Sequence, residues 1–355
     1  MTSRRASFST TAAIATLAFT ASACSDDEPD AVTLVVYDSF PTADTTINAA
    51  LDAFTTDTGI DVEILVAGDT GTMVSKAALT AGNPEGDVMW GVDNTFLSRA
   101  IADGVFEPYD SPAIGSIPTE LTELVPNGEA TPVDYGDVCI NYDVAWFTDN
   151  GLDVPTSLDD LIEPAYADLL VVQNPATSSP GLAFLLATID EYGDEPDDAG
   201  VAGWQAYWQS LVDNGVEVVD GWTQAYYERF SAAGGGPKPL VVSYGTSPPA
   251  GVIFGDPETG AIESTCFRQV EFAGVLRGTE FPDEAKQLVD FLVGERFQSE
   301  IALNLFVYPA NADVELPPEF VEAAVIPANP HTMDPADIDA NRSTWIDEWT
   351  ELVIG

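Results

Sequence analysis

Residues 31 to 40 read Ala31-Val32-Thr33-Leu34-Val35-Val36-Tyr37-Asp38-Ser39-Phe40. The first six form a nearly unbroken apolar run, as in a parallel strand buried on both faces. The polar and aromatic residues that follow mark a loop at its end. Ile47, Leu51 and Phe54 then recur at helical spacing, and Gly59 is the stop signal. Val62, Ile64 and Val66 alternate as a second strand. Residues 76–81 predict a short helix. Val88, Met89 and Trp90 predict a third strand, which ends at Gly91-Val92-Asp93-Asn94. Strand, helix, strand, helix, strand predicts an α/β domain with a mostly parallel sheet.

The pattern resumes after a loop region at 110–131. Residues 133–142, 169–172, 216–219 and 240–243 read as strands, and 180–192, 204–212 and 222–232 as helices. The stretch 271–276 alternates less cleanly. Two helical segments, 283–293 and 296–303, follow it. The tail 341–354 carries Trp345 and Trp349 at i, i+4, a spacing that suits packing anchors. No internal repeat is visible. The run 232–237, Ala-Ala-Gly-Gly-Gly-Pro, reads as a flexible turn without the Lys-Ser/Thr ending of a phosphate loop.

The N-terminus has the parts of a secretory leader. Arg4 and Arg5 precede a small, apolar run over 8–20, and Ala21-Ser22-Ala23-Cys24 closes it. The run is short of the about 20 residues a membrane span needs. Small residues directly before a cysteine resemble a bacterial lipobox, in which case Cys24 carries lipid and begins the mature chain. Residues 1–23 are then a signal peptide and 24–30 a polar tether. The alternative is cleavage after Ala23 with no lipid. Both readings export the chain.

With 355 residues the chain has room for two domains, and its 45% apolar content can build real cores. Eleven Lys plus Arg face 59 Asp plus Glu, for a net charge of −48. Such a surface repels nucleic acid and anionic headgroups. It suits either attraction of a cationic ligand or a halophile-type surface kept soluble in high salt. The acids are scattered along the sequence, which favours the second reading. Apart from Cys24, the cysteines are Cys139 and Cys266, both in strand-like runs. In an oxidising compartment they are a candidate disulfide, the alternative being two buried thiols.

Catalytic equipment is missing from the sequence. The single histidine, His331, sits in the loop-like Asn329-Pro330-His331 and reads as solvated. No His/Cys cluster has zinc spacing, no G-x-S-x-G elbow is present, and no dinucleotide fingerprint follows a strand. No metal site or cofactor is predicted. An exported α/β protein without these parts points to ligand binding.

Polar and aromatic residues recur where strands end. Tyr37-Asp38-Ser39 follows the first strand, Gly68-Asp69-Thr70-Gly71 the second, and Asp93-Asn94 the third. Tyr244-Gly245-Thr246-Ser247 follows a late strand. Open α/β sheets bind ligands outside the carboxyl ends of their strands, so these loops converge on one crevice. Ser178 and Ser179 precede Pro180, which suits the first turn of a helix. Their hydroxyls make either an anion seat or an ordinary N-cap. Trp222, Tyr226, Tyr227 and Tyr244 cluster in the second half, with Tyr37, Phe306 and Tyr308 from the first and last parts. Each suits a core taken singly. Aromatic faces joined to carboxylates suit a flat organic cation, at about 2 kcal/mol when desolvated.

These stretches together resemble the substrate-binding proteins of bacterial thiamine ABC importers. The resemblance runs through Tyr37-Asp38-Ser39-Phe40, Gly91-Val92-Asp93-Asn94, Asp134-Tyr135-Gly136 and Gln173-Asn174-Pro175-Ala176-Thr177-Ser178-Ser179-Pro180-Gly181-Leu182. It continues through Gly221-Trp222-Thr223-Gln224-Ala225-Tyr226, Ser243-Tyr244-Gly245-Thr246-Ser247-Pro248, Tyr308-Pro309 and 342–349, in order along nearly all of the mature chain. It implies a two-lobed type II periplasmic-binding-protein fold with hinge strands between the lobes. Lobe one is then 31–135 plus 268–355, and lobe two 136–267. Cys139 and Cys266 fall on neighbouring crossover strands, which strengthens the disulfide reading. Tyr37 and Trp222 would line the pocket, Tyr244 would hydrogen-bond or stack, and Asp69 would partner the cation. Ser178 and Ser179 would cradle the hydroxyl or phosphate end of thiamine or a thiamine phosphate, with Asp93 and Asn94 beside the same crevice.

Three departures from the family pattern stand out. Phe306 replaces a tryptophan, Ala250 and Asp44 replace aromatic residues, and Ala176 replaces an arginine. The resemblance further implies ABC permease and ATPase partners, a membrane tie through lipid alone, and a monomer. A ferric-iron-binding protein of the same fold is the nearest rival, since Tyr226-Tyr227 is an adjacent tyrosine pair. An exported enzyme with paired carboxylates is the more distant one.

Overall fold

The computed structural model describes residues 31–197, 199–255 and 258–355. The leader, Cys24 and the tether lie outside them. The strands are β1 (Ala31–Val36), β2 (Asp61–Val66), β3 (Val88–Asp93), β4 (Phe106–Glu107), β5 (Thr131–Asp143), β6 (Leu170–Gln173), β7 (Glu217–Val219), β8 (Leu240–Tyr244), β9 (Thr259–Leu276) and β10 (Tyr308–Pro309).

They join in the order β2-β1-β3-β9-β5-β8-β6-β7. Two parallel groups, β2-β1-β3 and β8-β6-β7, flank a central pair. The pair, β9 and β5, is antiparallel to each other and to its neighbours. β9 meets β3 through its C-terminal end and pairs with β5 along both strands, so the two long strands cross between the groups. This is the α/β, two-lobed architecture with hinge strands that the sequence predicts. Cys139 and Cys266 are disulfide-bonded across the crossing pair, with Cα atoms 4.1 Å apart.

The predicted run 271–276 is the end of an 18-residue strand. From Thr265 onward nearly every side chain of it is buried, whichever way it points, which erases the period of two. The helix predicted over 76–81 spans Thr70–Leu79, because the Asp69 carboxylate accepts the Thr70 N–H and starts it a turn and a half early. The helix predicted over 222–232 is broken. Trp222–Gln224 leads into a π-turn over Ala225–Arg229, and Phe230 is extended and fully buried. Left-handed Gly235 then turns the chain back, so that Lys238 N–H bonds to the Arg229 carbonyl. The segment 296–303 likewise divides into Glu295–Gln298 and Ile301–Leu305. The buried Gln298 amide holds the Val133 and Leu292 carbonyls there.

Helix Ser179–Tyr192 is apolar around most of its girth and buried along its first three turns. Trp208 packs edge-on against Phe184 and against Trp349 of the last helix, Pro335–Val353, so the tail tryptophans are core anchors. His331 is not a solvated loop residue. Its side chain is 13% exposed and its Nδ1 lies 2.7 Å from Asp190, while its backbone bridges to Cys266 and Arg268 on β9.

Candidate functional site

The strand-end loops meet at one cavity. The loop after β1 supplies Tyr37 and Asp38, and the turn after β2 supplies Asp69 and Thr70. Trp222, Tyr226 and Tyr227 come from the segment after β7, Tyr244 and Ser247 from the end of β8 and the turn after it. Phe306 follows helix Ile301–Leu305, and Glu271 comes from the middle of β9. Parallel strands deliver their C-terminal ends to one side of a sheet, which is why loops so far apart in sequence share this crevice.

Local chemistry fixes each ring. Gly91 on β3 has φ of 108°, and a Cβ there would lie 2.3 Å from Tyr37 Cδ1. The glycine therefore gives the Tyr37 ring its seat. Trp222 stacks on Tyr226 with centroids 4.8 Å apart, and its Nε1 donates to Ser243 Oγ at 3.0 Å. Tyr227 meets Trp222 edge-on. Phe306, with left-handed φ of 54°, turns its ring between the cavity and Phe254.

Every formally charged residue of the wall is acidic: Asp38, Asp69 and Glu271. Among the described residues no lysine, arginine or histidine lines it. Asp69 is pushed up to about 6 by burial, against the lowering effect of the Trp222 N–H that it accepts. Glu271 is pushed well above the usual carboxylate range by burial and then by the carboxylates of Asp134, Asp93 and Asp69. Burial also raises the phenols of Tyr37 and Tyr244, so both stay neutral and able to donate.

Seven of the sequence-predicted binding residues line this wall: Tyr37, Asp69, Trp222, Tyr226, Tyr244, Ser247 and Phe306. Five stand off it. Asp93 is fully buried, where it accepts from Thr95, the Phe96 N–H and Ser179 Oγ. Ser179 also accepts from Gln269 Nε2 at 2.8 Å, so its hydroxyl is committed to the interior. Ser178 beside it is fully buried as well, its side chain next to Asp69 of the wall. Asn94 is bound to the Arg268 carbonyl and the Val270 N–H of β9. Tyr308 is buried and stacked on Tyr135, centroids 5.2 Å apart. Glu271 is a charged wall residue the sequence does not announce, since no loop signal marks a mid-strand position. Among the described residues no group of His, Cys, Asp or Glu is placed to hold a metal, and no helix is long and apolar enough to cross a membrane.

Comparison with known proteins gives a consistent result. The model of a family described as bacterial extracellular solute-binding protein matches residues 84–341. A thiamine-binding periplasmic protein of Salmonella typhimurium is 30% identical over 329 residues, covering 91% of this chain and 93% of that one. Its Escherichia coli counterpart is 29% identical over 326 residues, covering 91% and 93%. Among solved structures, a periplasmic thiamin binding protein superposes with a TM-score of 0.76 at 29% identity, covering 91% of this chain and 96% of its own.

Proposed function

The chain belongs to the bacterial extracellular solute-binding proteins, and from that premise we propose that it captures thiamine outside the cytoplasm and hands it to an ABC permease with its ATPase. Members of this family bind solutes for transport and are not enzymes. The observation that carries the ligand is the wall itself: Tyr37, Trp222, Tyr244 and Phe306 offer aromatic faces, and the charges among them are all carboxylates. A thiazolium ring is a flat cation that such a wall favours through cation–π and Coulomb attraction. Free thiamine fits better than its phosphate esters, because a phosphate would meet Asp38, Asp69 and Glu271 with no cation to offset them.

The finer parts of the reading follow the sequence. Residues 31–135 and 268–355 are assigned to one lobe and 136–267 to the other, with the wall between them. Cys24 is assigned as the lipid-bearing anchor, the protein as a monomer, and the acidic surface as adaptation to salt. A ferric-iron role is less favoured, since the rings of Tyr226 and Tyr227 are packed with Trp222.

Isothermal titration tests the ligand. Thiamine is expected to bind with little dependence on salt, and thiamine phosphates more weakly. Absence of heat with thiamine and all its esters would overturn the assignment, and a tyrosinate-to-iron colour band on adding ferric ion would install the rival.

A further inference from the structure

Three carboxylates lie side by side across the middle of the sheet. Glu271 on β9 is the register partner of Asp93 on β3 and of Asp134 on β5. Directly opposed residues of antiparallel strands point to the same face. The three differ in what satisfies them. Asp93 is saturated by Thr95, Phe96 and Ser179. Among the described residues Asp134 accepts one bond, from Trp90 Nε1 at 3.0 Å, and its Oδ1 has no partner. Among the described residues Glu271 has only a long contact from Gln269 Nε2, 3.4 Å to Oε1, and its Oε2 has none. Asp134 is fully buried and Glu271 is 7% exposed, and Glu271 alone of the three lines the cavity.

We propose that Glu271 and Asp134 share a proton in the empty protein, and that Glu271 releases it to become the counter-charge of the captured cation. This rests on the reading of the cavity as a cation site. The groups facing Glu271 are Asp134 from β5, Asp93 from β3, Asp69 from the turn after β2, Tyr244 from β8 and Tyr37 after β1. All are acids or phenols, and none supplies positive charge. Two adjacent carboxylates in a dry interior cannot both ionise cheaply, so the pair keeps one proton. A cation on the cavity side supplies the counter-charge that the carboxylate pair lacks. The carboxylic acid then becomes a carboxylate, and its proton passes to the buffer. Burial and the neighbouring acids, which raise both groups, work in the same direction.

The test is titration of the mature chain with thiamine in buffers of equal pH and unequal ionisation heat. Release of up to about one proton is expected, with affinity rising with pH by up to about tenfold per unit. Glu271→Gln should abolish the proton release and weaken thiamine by about tenfold or more. Asp134→Asn should keep the binding and shift the release to lower pH, because Glu271 loses one of the carboxylates that raise it while burial, Asp93 and Asp69 remain. A ligand-free readout accompanies these: melting of the empty protein should fall less with rising pH in either variant than in the parent, which also controls for folding. Thiamine binding with no proton exchange and a flat pH profile would overturn the inference and leave the thiamine reading standing. No thiamine heat at all would overturn that reading, and this role for Glu271 with it.

Discussion

Asp69 accepts the backbone N–H of Trp222 through Oδ2 at 3.0 Å, joining residues 153 apart in the chain. Oδ1 of the same carboxylate caps helix Thr70–Leu79. Next to it, Gly71 N–H donates to the Thr177 carbonyl at 3.0 Å, and a Cβ on Gly71 would sit 2.7 Å from the Ala176 carbonyl oxygen. The first turn of this helix is therefore seated directly on the opposite half of the molecule, across the cavity. Burial raises Asp69 to about 6. A raised acid contributes stability that is whole below its unfolded value of about 4 and is lost as pH rises through its folded value. The empty protein should hold its halves together below about pH 6 and loosen above it, and thiamine should restore compactness. Small-angle scattering measures this as a radius of gyration that rises with pH only in the empty protein; the same radius at all pH values would refute the link. Asp69→Ala removes both bonds and should weaken thiamine about tenfold.

Gly91→Ala tests the seat of Tyr37. The substitution meets two obstacles, a φ of 108° and a ring carbon 2.3 Å from the new Cβ. The strain costs about 1–3 kcal/mol, and the cheapest relief is movement of the Tyr37 ring. The variant should fold with a lowered melting temperature and lose at least about tenfold in thiamine affinity by titration. Unchanged affinity would remove Tyr37 from the binding surface.

The contrast between Tyr37 and Glu271 shows what a sequence carries and what it does not. Tyr37, Asp69 and Tyr244 stand just past apolar runs, so the rule that parallel strands end at the crevice finds them locally. Glu271 lies within a strand buried on both faces, where alternation vanishes, and its meaning comes from register with Asp93 and Asp134, far away in the chain. Ser178 and Ser179 carry the local signature of a helix start, and that signature is real. The Ser179 hydroxyl is turned to the core by Asp93 and Gln269, which no nearby residue announces. The helix start at Thr70 was hidden by two flanking glycines that read as loop, although Asp69 was there to cap it. His331 looked solvated because Asp190, its partner, is 141 residues away.

The disulfide between Cys139 and Cys266 spans 127 residues and ties the two crossing strands where the β5–β9 register shifts. Both sulfurs belong to fully buried residues. Cross-linking so long a loop restricts the unfolded chain, typically by about 2–5 kcal/mol. Replacing both cysteines by alanine should lower the calorimetric melting temperature by several degrees and leave thiamine affinity within about threefold of the parent, since neither residue lines the cavity. Equal melting of parent and variant would mean that the bond contributes nothing to holding the crossing strands.

Phe306 holds a backbone that phenylalanine rarely adopts, φ 54° and ψ 44°, at the end of helix Ile301–Leu305. Glycine would adopt it without the roughly 1 kcal/mol penalty of a side chain in the left-handed region. The ring is half-buried and lines the cavity against Phe254, so its removal forfeits a comparable amount of apolar burial. Phe306→Gly should therefore leave stability within about 1 kcal/mol of the parent while thiamine affinity falls about tenfold through loss of an aromatic face. The split between the two readouts distinguishes the roles. A large drop in melting temperature with unchanged affinity would make Phe306 a packing residue, and the left-handed turn would then owe nothing to the ligand. Affinity lost at constant stability would show that the chain tolerates an unfavourable backbone in order to aim a ring at the cation.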